Sequence, residues 1–209
     1  MEVSVFATWL DTTFASFDLA ALSFMHNLAV AAGDVLTPFM HLVSLFGKEG
    51  IFSVILGIVL LLPKKTRKTG FTVLMAIIIS TLITNVTLKP LVARPRPFVS
   101  YDYVAEWWNF VGSSKESDLS FPSGHVTIIT SSLTAFCLAA GEWAKKKWRV
   151  WLPAGTMIVL MCISRMYLMM HYPTDVMGGL AVGLISGFFG YLIISSIHKL
   201  IKSKRNKAK

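Results

Sequence analysis

The sequence predicts an all-α fold, a polytopic membrane helical bundle, and three observations carry that reading. Its 209 residues are 54% hydrophobic and only 15% charged, with a mean hydropathy of +0.62, more apolar material than one soluble core of this length takes in. The apolar residues fall into runs on the scale of a bilayer core. The formal net charge of +9 is gathered into three clusters instead of lying along one face, a pattern of membrane topology and not of nucleic-acid binding.

Residues 1–18 set Val3, Phe6, Trp9, Leu10, Phe14 and Phe17 among Glu2, Asp11 and Asp18, a partly helical spacing suited to a helix lying in the membrane interface. No basic leader or small-residue cleavage site precedes it, so an uncleaved start is expected. Residues 19–46 are long enough to span but are interrupted by His26, Gly33, Asp34, Pro38 and His41, so they form one kinked span or two half-length interfacial helices. Residues 50–62 are uniformly apolar but would make a helix only about 18 Å long against a hydrocarbon core of roughly 30 Å, so that helix is expected to start earlier. Residues 69–88 form a clear span ending at Lys89-Pro90.

The longest connection, 89–121, has balanced charge: Lys89, Arg94, Arg96 and Lys115 against Asp102, Glu106, Glu116 and Asp118. Its Tyr101, Tyr103, Trp107, Trp108 and Phe110 suit interface anchors, or guides for a lipid tail, better than a base-stacking platform. Spans follow at 123–140, 151–170 and 176–197. The first carries small hydroxyl residues for packing, and the last carries Gly179, Gly183 and Gly187 at four-residue spacing for close helix contact. Cys137 and Cys162 lie inside apolar runs and read as small core residues.

Basic clusters at 64–68, at 145–149 and in the tail must share one side, which the positive-inside rule makes cytoplasmic. Counting spans from there brings Lys89, Arg94, Arg96, His125, Arg165, His171 and Asp175 to the opposite, extracytoplasmic face. Cations in excess of carboxylates at one place imply an anionic ligand, and guanidinium forks suit tetrahedral oxyanions such as phosphate. Pro122-Ser123-Gly124-His125 opens a helix whose unpaired N–H groups could hold phosphate oxygens. Tyr172-Pro173 opens another, with His171 just outside it and Asp175 in its first turn, where a carboxylate can orient an imidazole for attack. Two histidines on one phosphate divide the work between attack and protonation of the departing oxygen. A metal site from His125, His171 and Asp175 is the competing reading; the surrounding lysine and arginine would repel a cation. Singly, Lys89 could snorkel, Arg165 could pair with Asp175, and His125 could cap a helix. His26 and His41 read as structural, and Arg94 as a supporting or loop charge.

Three motifs together carry a resemblance: Lys89-(six residues)-Arg96-Pro97, Pro122-Ser123-Gly124-His125, and Ser164-Arg165-(five residues)-His171-(three residues)-Asp175. In these the chain resembles the type-2 phosphatidic-acid phosphatase superfamily, the membrane lipid phosphatases related to vanadium haloperoxidases. The resemblance implies catalytic His171 (nucleophile, forming a phosphohistidine), Asp175 (orienting it) and His125 (protonating the leaving group), with Lys89, Arg96, Ser123, Gly124 and Arg165 binding phosphate. It implies a core of about six transmembrane helices and no metal or other cofactor. The whole chain, 1–209, would be one integral membrane phosphatase domain, with 1–18 as an interfacial helix, 89–121 as an extracytoplasmic loop and 199–209 as a basic cytoplasmic tail. The bacterial members it resembles act on undecaprenyl pyrophosphate, phosphatidylglycerol phosphate or phosphatidate, and the first is the expected substrate. A phosphotransferase using the same phosphohistidine and, as a non-enzyme, an anion transporter are the rivals. A bacterial cytoplasmic membrane is the expected location, with lipid phosphate and membrane as partners and no nucleic acid; oligomeric state is not readable.

Overall fold

A computed structural model describes residues 3–113 and 119–207; Lys115, Glu116 and Asp118 of the charge-balanced connection lie outside the described residues. Every regular element among the described residues is helical. Ser4 caps α1 (Val5–Thr13), its hydroxyl accepting from Ala7 N at 3.1 Å. The chain then enters α2 (Ala15–Leu45), one helix whose ladder is disturbed at Ala32 (φ −143°) and which carries Pro38 inside. The interruption expected within 19–46 is present: helical geometry breaks at Ala32, and one helical segment runs on either side of it.

The helix after it, α3 (Ile51–Leu61), does not begin earlier as its length led one to expect. The 3₁₀ turn Lys48–Gly50 puts Glu49 at φ 51° and Gly50 at φ 70°, left-handed geometry that an α-helix cannot continue through. Next, α4 (Arg67–Thr81) widens into a π-helical stretch, Leu82–Leu88, before the short α5 (Lys89–Val92), which Ala93 ends at φ 51°. The predicted plain span is thus a helix with a change of pitch at its polar end, the kind of departure that recurs at functional sites.

The connection 89–121 is folded as well: it contains α6 (Pro97–Ser100) and α7 (Asp102–Phe110). Trp107 stacks on His26 at 4.6 Å and Trp108 on Phe98 at 4.3 Å, and both tryptophans pack on a core built from α2, α7 and the segment after Tyr167. Those two rings are therefore internal packing groups, while Tyr103 and Phe110 remain exposed. His26 packs inside the bundle against Trp107, and His41 donates from Nε2 to Val111 O at 2.8 Å.

The last three helices are α8 (Gly124–Ala140), α9 (Trp148–Tyr167) and α10 (Pro173–Lys207), the last continuing through most of the basic tail. The spacing of glycines along α10 has the expected use. A Cβ on Gly179 would stand 2.9 Å from Ser123 O, on Gly183 2.9 Å from Thr127 O, and on Gly187 2.8 Å from Ser131 O, so α8 and α10 lie backbone to backbone. Ser132 bonds Ser53 at 2.8 Å and Ser131 bonds Ser80 at 3.0 Å, tying α8 to α3 and α4. Both cysteines are buried and unoxidised.

Four stretches are long and apolar enough to cross a membrane, Ala15–Leu61, Arg67–Ser100, Trp148–Tyr167 and Pro173–Lys207, and Gly124–Ala140 is a shorter apolar helix. Large apolar side chains such as Phe24, Val35, Ile55, Leu152, Leu184 and Phe188 are exposed along them, the inverse of a soluble bundle and the outer surface that lipid requires. At one end of the bundle Lys68 pairs with Glu142 at 2.6 Å, and Tyr191 donates to the same carboxylate at 3.1 Å. The two basic connections and the tail side of α10 therefore share an end, and α10 begins at the other, beside the motif residues.

Candidate active site

The first motif reaches the site through the change of pitch after α4. The π-helical stretch carries Thr84 and Asn85 into a cavity that Lys89, at 7% exposure, also lines. The left-handed turn at Ala93 then leads into Arg94 and Arg96, both fully buried, and Ser120 N donates to Arg94 O at 2.8 Å to lock the return of the long connection against it.

The second motif is fastened to the third by backbone: Ser123 N donates to Asp175 O at 3.1 Å. Ser123 is the N-cap of α8, yet its side chain makes no capping bond, and its buried hydroxyl has no partner among the described residues. The first turn of α8 is left with donors available to an anion. A Cβ on Gly124 would lie 3.7 Å from Lys89 Nζ and 3.8 Å from Asn85 Oδ1, which puts the ammonium beside that turn. His125 lies against the 3₁₀ turn, so closely that a Cβ on Gly47 would come within 2.7 Å of its Cδ2.

In the third motif, Arg165 in the last turn of α9 donates from Nη1 to Ser44 Oγ at 2.6 Å. Met169, at φ 56°, reverses the chain, and Met170 N closes onto Arg165 O at 3.1 Å. His171 follows. Its Nε2 stands 3.3 Å from Arg96 Nη1, which also donates to Met170 O at 2.8 Å. A guanidinium can only donate, so Nε2 accepts and the ring proton sits on Nδ1. That proton faces Asp175, with Nδ1 to Oδ2 at 3.6 Å, an electrostatic approach longer than a hydrogen bond. Asp175 is itself held: Oδ2 accepts from Tyr172 N at 2.9 Å and from Ser120 Oγ, and Oδ1 accepts from Arg94 Nη1 at 2.6 Å.

Of the residues expected at the site, Lys89, Gly124, His125, Arg165 and His171 line one cavity of about 940 Å³, and Arg96, Ser123 and Asp175 stand directly behind it. Sequence reasoning missed Ser44, Gly47, Asn85 and Ser120, which hold or border these groups; of its two accounts of Arg94, a supporting or a loop charge, the first is the one formed. That residue is no loop charge: it bonds Asp11, Asp18, Thr174 and Asp175 from a fully buried position. A usable signal was present, since Asp11 and Asp18 lie in an apolar segment of residues 1–18 that holds no lysine or arginine to pair with them. His41 lines the cavity in addition to its bond to Val111. Burial pushes the Asp11 carboxyl above its ordinary range, against the downward pull of Arg94, and burial likewise pushes up the Tyr172 hydroxyl.

Cations and a carboxylate-backed histidine, collected at one end of a bundle with an apolar outer surface, define the class: an integral membrane protein built to handle anionic lipid. The chain belongs to the PAP2 superfamily, whose family model matches residues 69–199. It is 29% identical over 175 residues to an undecaprenyl-diphosphatase of Sulfolobus acidocaldarius, an alignment covering 80% of this chain and 78% of that one. It is 32% identical over 146 residues to phosphatidylglycerophosphatase B of Bacillus subtilis, covering 68% and 64% of the two chains. Among solved structures it is similar to the transmembrane PAP2-type phosphatidylglycerolphosphate phosphatase of Bacillus subtilis, with a TM-score of 0.65 and 25% identity over 90% of this chain and 98% of that one. The protein is thus a membrane lipid phosphatase, a phosphoric ester hydrolase acting on lipid phosphates, and the anion-transporter reading falls away.

Proposed function

We propose that this phosphatase removes the terminal phosphate of undecaprenyl pyrophosphate at the extracytoplasmic membrane surface, through a phosphohistidine on His171. One observation carries the reading: Lys89, Gly124, His125, Arg165 and His171, drawn from separate elements, meet in a cavity whose wall on the α2 side includes Leu42 and Leu45, apolar side chains exposed at 55% and 59%. A phosphate can enter such a cavity while its hydrocarbon tail stays in lipid. Lys48 lines the same space and offers a further cation to a second phosphate. The similarity to undecaprenyl-diphosphatases supports this substrate class.

In this mechanism Arg96 Nη1 shifts from His171 Nε2 to a phosphoryl oxygen as substrate enters, and the freed lone pair of Nε2 attacks phosphorus in line with the departing oxygen. Asp175 steadies the imidazolium that develops, through the Nδ1 proton. Lys89, Arg165, Ser123 and the first-turn N–H groups of α8 hold the equatorial oxygens, and Arg96 meets the phosphoryl group beside the attacking nitrogen. His125 protonates the leaving oxygen as the ester or anhydride bond breaks. It then takes a proton from water, which attacks the phosphohistidine, releases phosphate and returns His171 to its starting form. No step uses a metal. Six helices of eleven residues or more, α2, α3, α4, α8, α9 and α10, form the membrane core in this reading, with the site opening outward and the basic end in the cytoplasm.

The second reading is phosphatidylglycerol phosphate as substrate, favoured by the extent of the structural similarity to the Bacillus subtilis enzyme. One experiment separates them. Purified protein is assayed at one detergent concentration on undecaprenyl pyrophosphate, phosphatidylglycerol phosphate and phosphatidate, with and without an alcohol acceptor. The highest kcat/KM is expected on the first, and His171→Ala is expected to lose on the order of 10⁴-fold or more in kcat on all three. Preference for phosphatidylglycerol phosphate moves the assignment to the second reading, phosphate appearing on the acceptor makes the protein a phosphotransferase, and wild-type turnover by His171→Ala sinks the mechanism.

A further inference from the structure

Behind Asp175 lies a buried ionic cluster that no motif names. Arg94, 1% exposed, spreads its guanidinium over three carboxylates: Nη1 to Asp175 Oδ1 at 2.6 Å, Nη2 to Asp18 Oδ2 at 2.9 Å and Nε to Asp11 Oδ1 at 2.8 Å. The Tyr172 ring covers it, 3.9 Å from the guanidinium carbon. Asp18 also holds the backbone that follows His171, since its Oδ1 accepts from Thr174 N at 3.0 Å and its Oδ2 from Thr174 Oγ1 at 2.7 Å. Thr174 Oγ1 accepts in turn from Arg94 Nη1 at 2.7 Å. The turn from Tyr172 to Asp175 is therefore gripped on its side chains and on its backbone.

Stability alone does not call for this arrangement. Burying one guanidinium with Asp18 and Asp175, and a half-buried Asp11 beside them, costs more desolvation than burying a single pair, and a buried ionic group is weak evidence of a stabilising role. The arrangement does have a chemical use. A carboxylate neutralised one-to-one by Arg94 would have little field left for an imidazole 3.6 Å away. With Asp11 and Asp18 sharing the guanidinium, Arg94 is not matched to Asp175 alone, and Asp175 Oδ2, which Arg94 does not bond, is left toward the His171 ring as that ring becomes positive. The His171 ring is faced from the other side by Arg96 Nη1 at 3.3 Å, and it shares the cavity with Lys89, Arg165 and His125. Five fixed donors in a planar fork can serve three carboxylates at once, which an ammonium cannot.

We infer that Asp18 and Asp11, acting through Arg94 and Thr174, position Asp175 and hence His171 for attack, so that the amino-terminal segment, outside the matched family region, completes the active site. Asp18, Asp11 and Arg94 are positioning residues; none of them lines the cavity. The inference rests on His171 being the nucleophile.

The test uses full-length Asp18→Asn, Asp11→Asn and Arg94→Lys beside the wild type and His171→Ala, on the three lipid phosphates above. Inhibition by orthovanadate, a mimic of five-coordinate phosphorus, is compared with inhibition by inorganic phosphate. Asp18→Asn is expected to lower kcat about 10–100-fold with KM within about two-fold, the split for a group that acts only in the transition state. Vanadate inhibition should weaken in step with kcat while phosphate inhibition stays put. Asp11→Asn should show the same pattern more weakly, and Arg94→Lys should behave as badly as Asp18→Asn. Where Asp18→Asn does not yield folded protein, Asp11→Asn carries the test. Wild-type kcat in the aspartate variants, wild-type kcat in Arg94→Lys, or loss of activity with an unchanged ratio of vanadate to phosphate inhibition overturns the inference. An active His171→Ala would instead overturn the reading beneath it.

Discussion

At the scale of single residues, the role proposed for His125 depends on how closely its ring is held. Gly47 has φ −91° and ψ −13°, a conformation open to any residue, so what keeps it a glycine is space: a Cβ would come 2.7 Å from His125 Cδ2. Gly47→Ala should therefore fold and displace the ring by a fraction of an ångström to an ångström. Displacements of about 1 Å at a reacting group cost roughly 10²-fold. The expected result is a fall of that order in kcat, least on substrates whose leaving group needs no proton, checked by comparing a lipid phosphate with a nitrophenyl phosphate. Equal loss on both would place the damage elsewhere. The contrast between Arg94 and Arg96 belongs to this scale too. Two arginines one residue apart take opposite duties, Arg96 toward His171 Nε2 and Arg94 toward the carboxylate behind it, because Pro95 and the left-handed Ala93 turn the chain between the elements they serve.

At the scale of elements, the seam between α8 and α10 determines whether the second and third motifs meet. Gly183→Leu adds bulk where a Cβ would already stand 2.9 Å from Thr127 O, and overpacking of this kind costs typically about 1–3 kcal/mol. Its melting temperature in detergent should fall, and activity with it, because Ser123 N and Asp175 O are joined across the same seam. Gly155 on α9 supplies the contrast, since nothing lies within 4 Å of a Cβ there. Gly155→Ala should leave activity intact and hold or raise the melting temperature, as alanine is favoured over glycine in a helix by up to about 1 kcal/mol. A drop for Gly155→Ala equal to that for Gly183→Leu would mean that helix packing is not what the glycines serve. The helices themselves were legible from apolar runs and charged connections. The π-helical stretch at Leu82–Leu88 was not, because a change of pitch leaves hydropathy unaltered and depends on what packs around it.

At the scale of the whole molecule, charge orders the two ends. Lys68, Glu142 and Tyr191 join the basic connections at one end, and the site occupies the other. With the native cysteines buried, single cysteines at exposed Glu106 and Lys204 report the two ends cleanly. An impermeant maleimide on intact cells should label Glu106→Cys and reach Lys204→Cys only after permeabilisation; the reverse pattern would invert the topology and put the chemistry in the cytoplasm.

By itself the sequence determined the helical membrane class, the family and five of the residues that meet in one cavity, Lys89, Gly124, His125, Arg165 and His171, because apolar runs, clustered lysines and closely spaced motifs are local properties of the chain. Only the tertiary structure decided which charge serves which partner. Arg94 and Asp11 are 83 residues apart, and Thr174 and Asp18 are 156 apart. No periodicity links such positions; they are matched because carboxylates buried in an apolar surrounding must find a cation and hydrogen-bond donors wherever the packed helices bring them.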